Sequence, residues 1–460
     1  MPIGEFLSGA QRRSLEQLKS QPAVRARLLQ VFGLIHQTRG QYSQARVVLD
    51  EALAEQRRQR GADDPESLET LQALGELAVG LNDNVRARTL LEESLERHRR
   101  VFGESHPRSA RVLLALAPVV AVDDLERGGE LLRRALEIRR ATLKPDDPAI
   151  AETLSALAEY YRQRQDYDRA RAAYQQALDV WPTPESRRHP NAITVLNDYG
   201  TFLSRLNEPA KAEALQREGL DIAREVLGSE TLAVANLLNN LAVTQIGLRR
   251  HREAEHLLRE SHQTHRALLG ARHWRTANVA RNVGRLLALQ QRYAEALPWL
   301  DEAVDTLAAA DLATDPTRAV GLSTMRAQRA QVLFRLGRHA EALTLFRAAV
   351  VDLESRQPLP AGHALANARV ILGRLLTESG RPAEAETVLA QALTALGDLG
   401  AQHPQFAEAA CELARTRLLR ASTAEERQRL HDCLPVYRGW GLAEREVVLA
   451  LDRLQAATER

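Results

Sequence analysis

Side chains able to do chemistry are plentiful in this 460-residue chain, but few fall at the spacings that chemistry needs. Four histidines, His251, His256, His262 and His265, lie within fifteen residues of one predicted helix and invite a metal. A helical two-histidine clamp sets its ligands four residues apart, and no pair here has that separation; His262 and His265, three apart, come nearest. An exposed polar face is the expected reading, with no metal and no other cofactor. The many carboxylates read as solvated charge, and no Ser or Cys nucleophile stands at a spacing from His and an acid that points to catalysis. Gly-rich phosphate loops and the Val-Ala-Ile-Lys, His-Arg-Asp and Asp-Phe-Gly strings are missing from the sequence, so it predicts a non-enzyme.

The elements that must position these side chains are helices in a repeating unit. Between Thr231 and Gly270, Leu238, Leu241 and Ala242 follow Val234 and Ala235 at helical spacing. Gly247 and the pair Arg249 and Arg250 close that helix. A second opens near His251 and sets Ala254, Leu257, Leu258, Ser261 and Leu268 along its inner stripe. Two helices joined by so short a turn lie antiparallel, and neither buries its stripe alone. Small residues show that the unit recurs, at Gly33, Gly75, Ala117, Ala158, Gly200, Ala242, Gly284, Ala330 and Gly373, with steps near 42. Ala45, Ala87, Gly128, Ala170, Ala212, Ala254, Ala296, Ala342 and Ala385 keep nearly the same steps in the second helix. Both positions need a small side chain because the helices of a pair cross closely there. Asp64-Pro65, His106-Pro107, Asp147-Pro148, His189-Pro190, Asp315-Pro316 and His403-Pro404 punctuate the units, since proline tolerates the first helical position and the residue before it can meet free backbone donors.

These residues resemble the tetratricopeptide signature, carried here by Leu238, Leu241, Ala242, Ala254 and Leu258. The period near 42, the string Asn239-Asn240-Leu241-Ala242 and the His-Pro or Asp-Pro markers make the chain similar to the kinesin light chain subclass. It departs at Gln245, where an aromatic is usual, and at Arg326 and Arg329, which stand at core positions. The resemblance implies an all-α, right-handed superhelical solenoid of nine or ten antiparallel hairpins. The expected organisation is a lead segment over 1–21, a repeat array over 22–420 and a helical cap over 421–460 that includes Cys433, Tyr437 and Trp440. Proline-rich or lengthened linkers from Trp181 to Pro190, Ala308 to Pro316 and Glu354 to His363 are candidate joints. A second, shorter resemblance runs through Glu5-Phe6-Leu7, Gly9-Ala10 and Gln21 to Leu29. It is similar to the junction at which bacterial serine/threonine kinases of the eukaryotic type pass into carboxy-terminal repeats.

Charge and composition narrow the partners. With 62 Lys plus Arg against 60 Asp plus Glu, the net charge is +2, which gives no field to draw in nucleic acid or an anionic membrane. Apolar residues at 44% suffice for a continuous core, while aromatics at 4% leave its packing to Leu, Ala and Val. Arginine greatly outnumbers lysine, which fits a bacterial source. Cys411 and Cys433 are too few for a disulfide scaffold and show no metal spacing, so a cytoplasmic protein is expected. No apolar run is long enough to span a bilayer.

The resemblance also implies a binding surface. In tetratricopeptide arrays the first helix of each unit faces the concave side, and the positions six and three before its small residue, with the one after it, point into the groove. These are Glu69, Gln72 and Glu76; Glu152, Ser155 and Glu159; Thr194, Asn197 and Thr201; Asn236, Asn239 and Val243; Asn278, Arg281 and Arg285; and Asn367, Val370 and Arg374. The wall runs from acidic through amide-rich to basic. An asparagine amide is donor and acceptor at once, so it suits both N–H and C=O groups of an extended peptide. Kinesin light chain repeats hold peptide backbones in this way, which implies peptide binding by Asn197, Asn236, Asn239 and Asn278, with Arg281 and Arg285 beside them. The expected function is a scaffold for a partner protein or peptide, as the sensing arm of a signalling kinase; the alternative is a receptor for a small peptide or metabolite that controls an attached effector. A bound segment would carry basic residues opposite Glu69, Glu76, Glu152 and Glu159, and acidic ones opposite Arg281, Arg285 and Arg374.

Overall fold

The computed structural model describes residues 16–439, except 19, 39–41, 82, 184, 309–315, 355–363, 402 and 422. Most of the lead segment, the two linkers after Ala308 and Glu354, Asp315 and Trp440 therefore lie outside the described residues, as does the side chain of Tyr437. The described residues are helical, with no strand among them.

Two compact units account for the chain, Met1–Leu248 with Ala267–Leu269, and Arg249–Arg266 with Gly270–Arg460. The first holds α1 (Pro22–Thr38), α2 (Tyr42–Arg60), α3 (Pro65–Gly80), α4 (Asn84–Phe102), α5 (Pro107–Ala121), α6 (Leu125–Thr142), α7 (Pro148–Gln163), α8 (Tyr167–Asp179), α9 (Pro190–Arg205), α10 (Pro209–Leu227) and α11 (Leu232–Gly247). The second holds most of α12 (His251–Leu269), then α13 (Trp274–Leu289), α14 (Tyr293–Ala308), α15 (Pro316–Arg335), α16 (His339–Glu354), α17 (Ala364–Glu378), α18 (Pro382–Ala395), α19 (Pro404–Arg420) and α20 (Ala424–Gly439). Within each unit consecutive helices pack as hairpins, α1 on α2 through α9 on α10, and α13 on α14 through α19 on α20. First helices also touch across hairpins, α7 on α9 and α9 on α11.

Local chemistry starts five of the described hairpins as the sequence predicts. Asp64 and Asp147 accept the backbone N–H two residues on, at 3.0 and 2.9 Å, and each is followed by proline at the first helical position. His106, His189 and His403 do the same through Nδ1, which must therefore be the unprotonated nitrogen. Gly103 and Gly270 close helices at φ 91° and 90°, where an L side chain is strained. Between the two helices of a hairpin, however, the left-handed position is taken in four cases by a residue other than glycine, Gln165, Asn207, Arg249 and Gln291, each at φ near 60°.

The small residues are small for the expected reason, and the structure names what fills the space. A Cβ on Gly75 would lie 2.6 Å from Leu91, and one on Gly284 2.7 Å from Leu300; Leu49 and Leu389 crowd Gly33 and Gly373 in the same way. Each glycine thus receives a leucine sixteen positions later, a side chain pressed directly onto backbone. Gly200 receives Gln216 instead, whose buried Oε1 accepts from Thr244 at 2.7 Å.

Three expectations are corrected. His262 and His265 are buried rather than on an exposed face: His262 Nε2 meets Glu302 Oε1 at 2.9 Å, and His265 Nδ1 meets the carbonyl oxygen of Ser261 at 2.9 Å. Burial holds the His265 imidazole below its ordinary pKa, against that hydrogen bond. Leu268, assigned to the inner stripe of α12, is exposed. Cys411 and Cys433 are joined in a disulfide because the α19–α20 hairpin brings them together.

Candidate functional site

A cavity of about 620 Å³ opens in the first unit between α7 and α9, with α8 behind it. Its floor is aromatic: Tyr174 stacks on Tyr199 at 5.2 Å between ring centroids and meets Phe202 at 5.4 Å. Acids surround that floor, though two of the three already have partners. Glu152 accepts from Arg139 at 2.9 Å, and Glu159 from Arg162 Nε at 2.7 Å. Burial works against the charge on Glu159, but the Arg162 guanidinium and the Gln163 amide offset it and hold the carboxyl below the usual range.

Asp198 is different. Among the described residues no Arg, Lys or His lies within ion-pair distance of it. Burial pushes its carboxyl up to about 6, against the hydrogen bond from Asn197, and the Glu159 charge adds to the rise. The same burial, with the charges of Asp198 and Glu159, raises the Tyr174 phenol. On the opposite wall Ser155 Oγ is buried with no hydrogen-bond partner among the described residues. A polar group stranded in this way costs roughly 1–3 kcal/mol unless something meets it. The cavity therefore offers an uncompensated carboxylate, an unused hydroxyl and two aromatic faces.

Behind Asp198 runs a ladder of amides. Asn239 Nδ2 donates to Asn240 Oδ1 at 3.1 Å, Asn240 Nδ2 to Asn197 Oδ1 at 2.9 Å, and Asn197 Nδ2 to Asp198 Oδ1 at 3.1 Å. Every step points one way, toward the carboxylate, and the middle step joins α11 to α9. Two of the predicted peptide-binding asparagines, Asn197 and Asn239, are thus brought together, but as members of a relay that bridges neighbouring repeats. Asn236 is half-buried on α11 and makes polar contacts of its own.

In the second unit Asn278, Arg281 and Arg285 share one half-buried stripe of α13, beside the buried stripe of Ala277, Ala280, Gly284 and Leu287. The Nε atoms of both arginines are buried without an acceptor. Burial pulls Arg281 down to about 10, helped by the charge on Arg285, and lowers Arg285 as well. The rest of the expected basic sector is spoken for. Arg374 donates to Glu412 and Glu408, each at 2.6 Å, and Val370 is buried in the core. At the acidic end Glu69 pairs with Arg108 at 3.3 Å and Glu76 with Gln72 at 2.6 Å, so these charges are also met internally.

A family profile described as "Tetratricopeptide repeat" matches residues 25–96, 120–183, 191–264, 233–309 and 322–398. The chain belongs to the tetratricopeptide repeat family. A second profile of the same description matches residues 155–225, which include all the cavity's lining but Glu152. No curated protein matches the chain. Among solved structures, the apo form of the quorum sensor NprR from B. thuringiensis is similar over 81% of this chain and 99% of its own, at 12% identity and a TM-score of 0.54. Apo RapI is similar over 81% and 97%, at 12% identity and a TM-score of 0.53. BtubC (BKLC) from P. vanneervenii has 20% identity over 56% of this chain and 95% of its own, at a TM-score of 0.41. At such identities the likeness is one of tetratricopeptide fold.

Sequence reasoning missed Asp198, though a signal for it was present. Asp198 sits two residues before Gly200, as Asn240 does before Ala242 and Asn282 before Gly284. Three successive tetratricopeptide units thus carry a polar residue at a position next to the core, where one buried polar group needs another.

Proposed function

We propose that this tetratricopeptide chain is a non-enzymatic scaffold that holds an extended segment of a partner, and that the cavity between α7 and α9 receives a basic side chain of that segment. Asp198 carries this reading: a half-buried carboxylate without a cation, above two aromatic faces, is what a lysine or arginine side chain would complete. Ser155 Oγ would take one of the incoming N–H groups. Asn236, Asn278, Arg281 and Arg285 remain contacts of the same reading, while Asn197 and Asn239 act through the ladder that holds Asp198. The likeness of fold to the quorum sensor NprR fits a sensing role for this reading.

The test is a positional peptide scan against the full chain, with lysine or arginine placed at each position in turn. Binding should require one basic position, and Asp198→Asn should remove that requirement. A partner segment bound equally well with and without its basic residues would overturn the reading. The kinase-arm reading rests on Glu5-Phe6-Leu7, Gly9-Ala10 and the residues from Gln21 to Leu29, and is checked by whether the native gene encodes a catalytic core upstream.

A further inference from the structure

Many of the described arginines are answered by acids. Arg139 has Glu152, Arg171 has Glu208, Arg292 has Glu255 and Glu295, and Arg374 has Glu408 and Glu412. Arg281 and Arg285, half-buried on α13, have no such partner among the described residues. Four residues apart on α13, their side chains emerge about 6 Å from one another on the same face. No carboxylate among the described residues lies within ion-pair distance of either, and the one polar contact is a long one, from Arg281 Nη2 to Asn282 Oδ1 at 3.4 Å. Both Nε–H donors are sealed from water and unpaired. Two like charges that repel each other in a poorly hydrated place are costly to fold, and nothing in the packing of this unit repays them. The expected repair is an anion, and the charge count sets its kind: one carboxylate would leave a net positive charge, whereas a dianion closes the site.

We infer that Arg281 and Arg285 form a receptor for a doubly charged oxyanion, a phosphoryl group. Planar guanidinium forks match the oxygens of a phosphoryl group in paired hydrogen bonds, and their two Nε–H groups supply donors that have no other use. Asn278, one turn earlier in the stripe, adds an amide donor. The site lies in the second unit and does not use the Asp198 cavity. It rests on the groove reading only for its source, a phosphorylated side chain on the bound segment rather than free phosphate.

The experiment is thermal melting and calorimetric titration of the full chain with inorganic phosphate, phenyl phosphate, succinate or chloride at matched ionic strength and pH 8. Phosphate stabilises most proteins weakly by exclusion from their surfaces, so the readout is the difference between the native chain and Arg281→Met/Arg285→Met. Phosphate and phenyl phosphate should raise the native Tm by about 3 °C or more beyond their effect on the variant. In chloride the variant should melt higher than the native chain, because two uncompensated charges are gone. Calorimetry on the native chain gives the answer even if the variant fails to fold, since saturable binding of phosphate against a chloride background is expected. Tighter binding of phenyl phosphate than of inorganic phosphate would support a phosphorylated side chain as the source; the reverse order would overturn that source. Succinate acting while phosphate does not would overturn the phosphoryl assignment in favour of paired carboxylates. No saturable binding of either phosphate would overturn the receptor, and the basic-residue scan around Asp198 would stand or fall separately.

Discussion

Asn240 donates its side-chain amide to Asn197 Oδ1 at 2.9 Å, across 43 residues of sequence, and so fastens one repeat to the one before it through the groove-side residues themselves. The bond also orients Asn197, which accepts through Oδ1 and is left to donate Nδ2 to Asp198. Removing either asparagine should strand its neighbour. Asn197→Ala and Asn240→Ala are each expected to cost about 1–2 kcal/mol, and the double variant much less than their sum. Denaturant unfolding of the four proteins of the cycle measures the coupling; strict additivity would mean that the ladder is not a unit.

Asp198 should make stability depend on pH in a direction opposite to most carboxylates. Its folded pKa is about 6 against an ordinary value of 3.8, so the folded state binds a proton more tightly than the unfolded chain does. That contribution is fully present below pH 3.8 and is lost as pH rises through 6. Asp198→Asn keeps an acceptor for Asn197 and cannot ionise. It should therefore gain on the native chain by roughly 2–3 kcal/mol between pH 4 and pH 7, measured as the difference between their stability profiles. Parallel profiles would show that Asp198 is solvated.

Binding of a basic segment should move in the other sense. A cation beside Asp198 favours its charged form, so affinity is expected to fall as pH drops below about 6, with proton release on binding around and below that pH and none well above it. Titration calorimetry in two buffers of different ionisation enthalpy reads that release. Affinity flat from pH 5 to pH 8 would place the basic residue elsewhere.

Gly284 and Leu300 supply a packing test. Gly284→Ala places a Cβ 2.7 Å from Leu300 and 3.2 Å from the carbonyl oxygen of Ala296, and should cost about 1–3 kcal/mol through overpacking. Leu300→Ala in that background should cost less than Leu300→Ala alone, because the intruding methyl fills part of the hole. Equal costs in the two backgrounds would contradict the contact.

The left-handed turns offer a gain. Gln165 at φ 61° and Gln291 at φ 64° hold a conformation that glycine adopts without Cβ strain. Gln165→Gly and Gln291→Gly should each stabilise by about 0.5–1 kcal/mol, visible as a rise in the denaturant midpoint without change in slope. A fall would show that these side chains earn their place by contacts.

The sequence alone determined the repeat, because a period near 42 in small residues reports a constraint that every hairpin meets separately, between a helix and its partner a short turn away. The Asp-Pro and His-Pro markers were equally legible, since a cap and the N–H it serves lie two residues apart. What the polar groups do is set by residues 13 to 43 positions away, on other helices. Glu152 and Arg374 looked like free groove charges until Arg139 and Glu412 were found beside them. His262 looked exposed until Glu302 and Trp299 closed over it. Asn197 and Asn239 drew attention for their chemistry, yet only the stacking of α11 on α9 brings Asn240 to donate to Asn197 and leaves Asp198 at the end of the line. A charge is read from its residue letter, but whether it is answered depends on distance in space, and that was decided by tertiary structure.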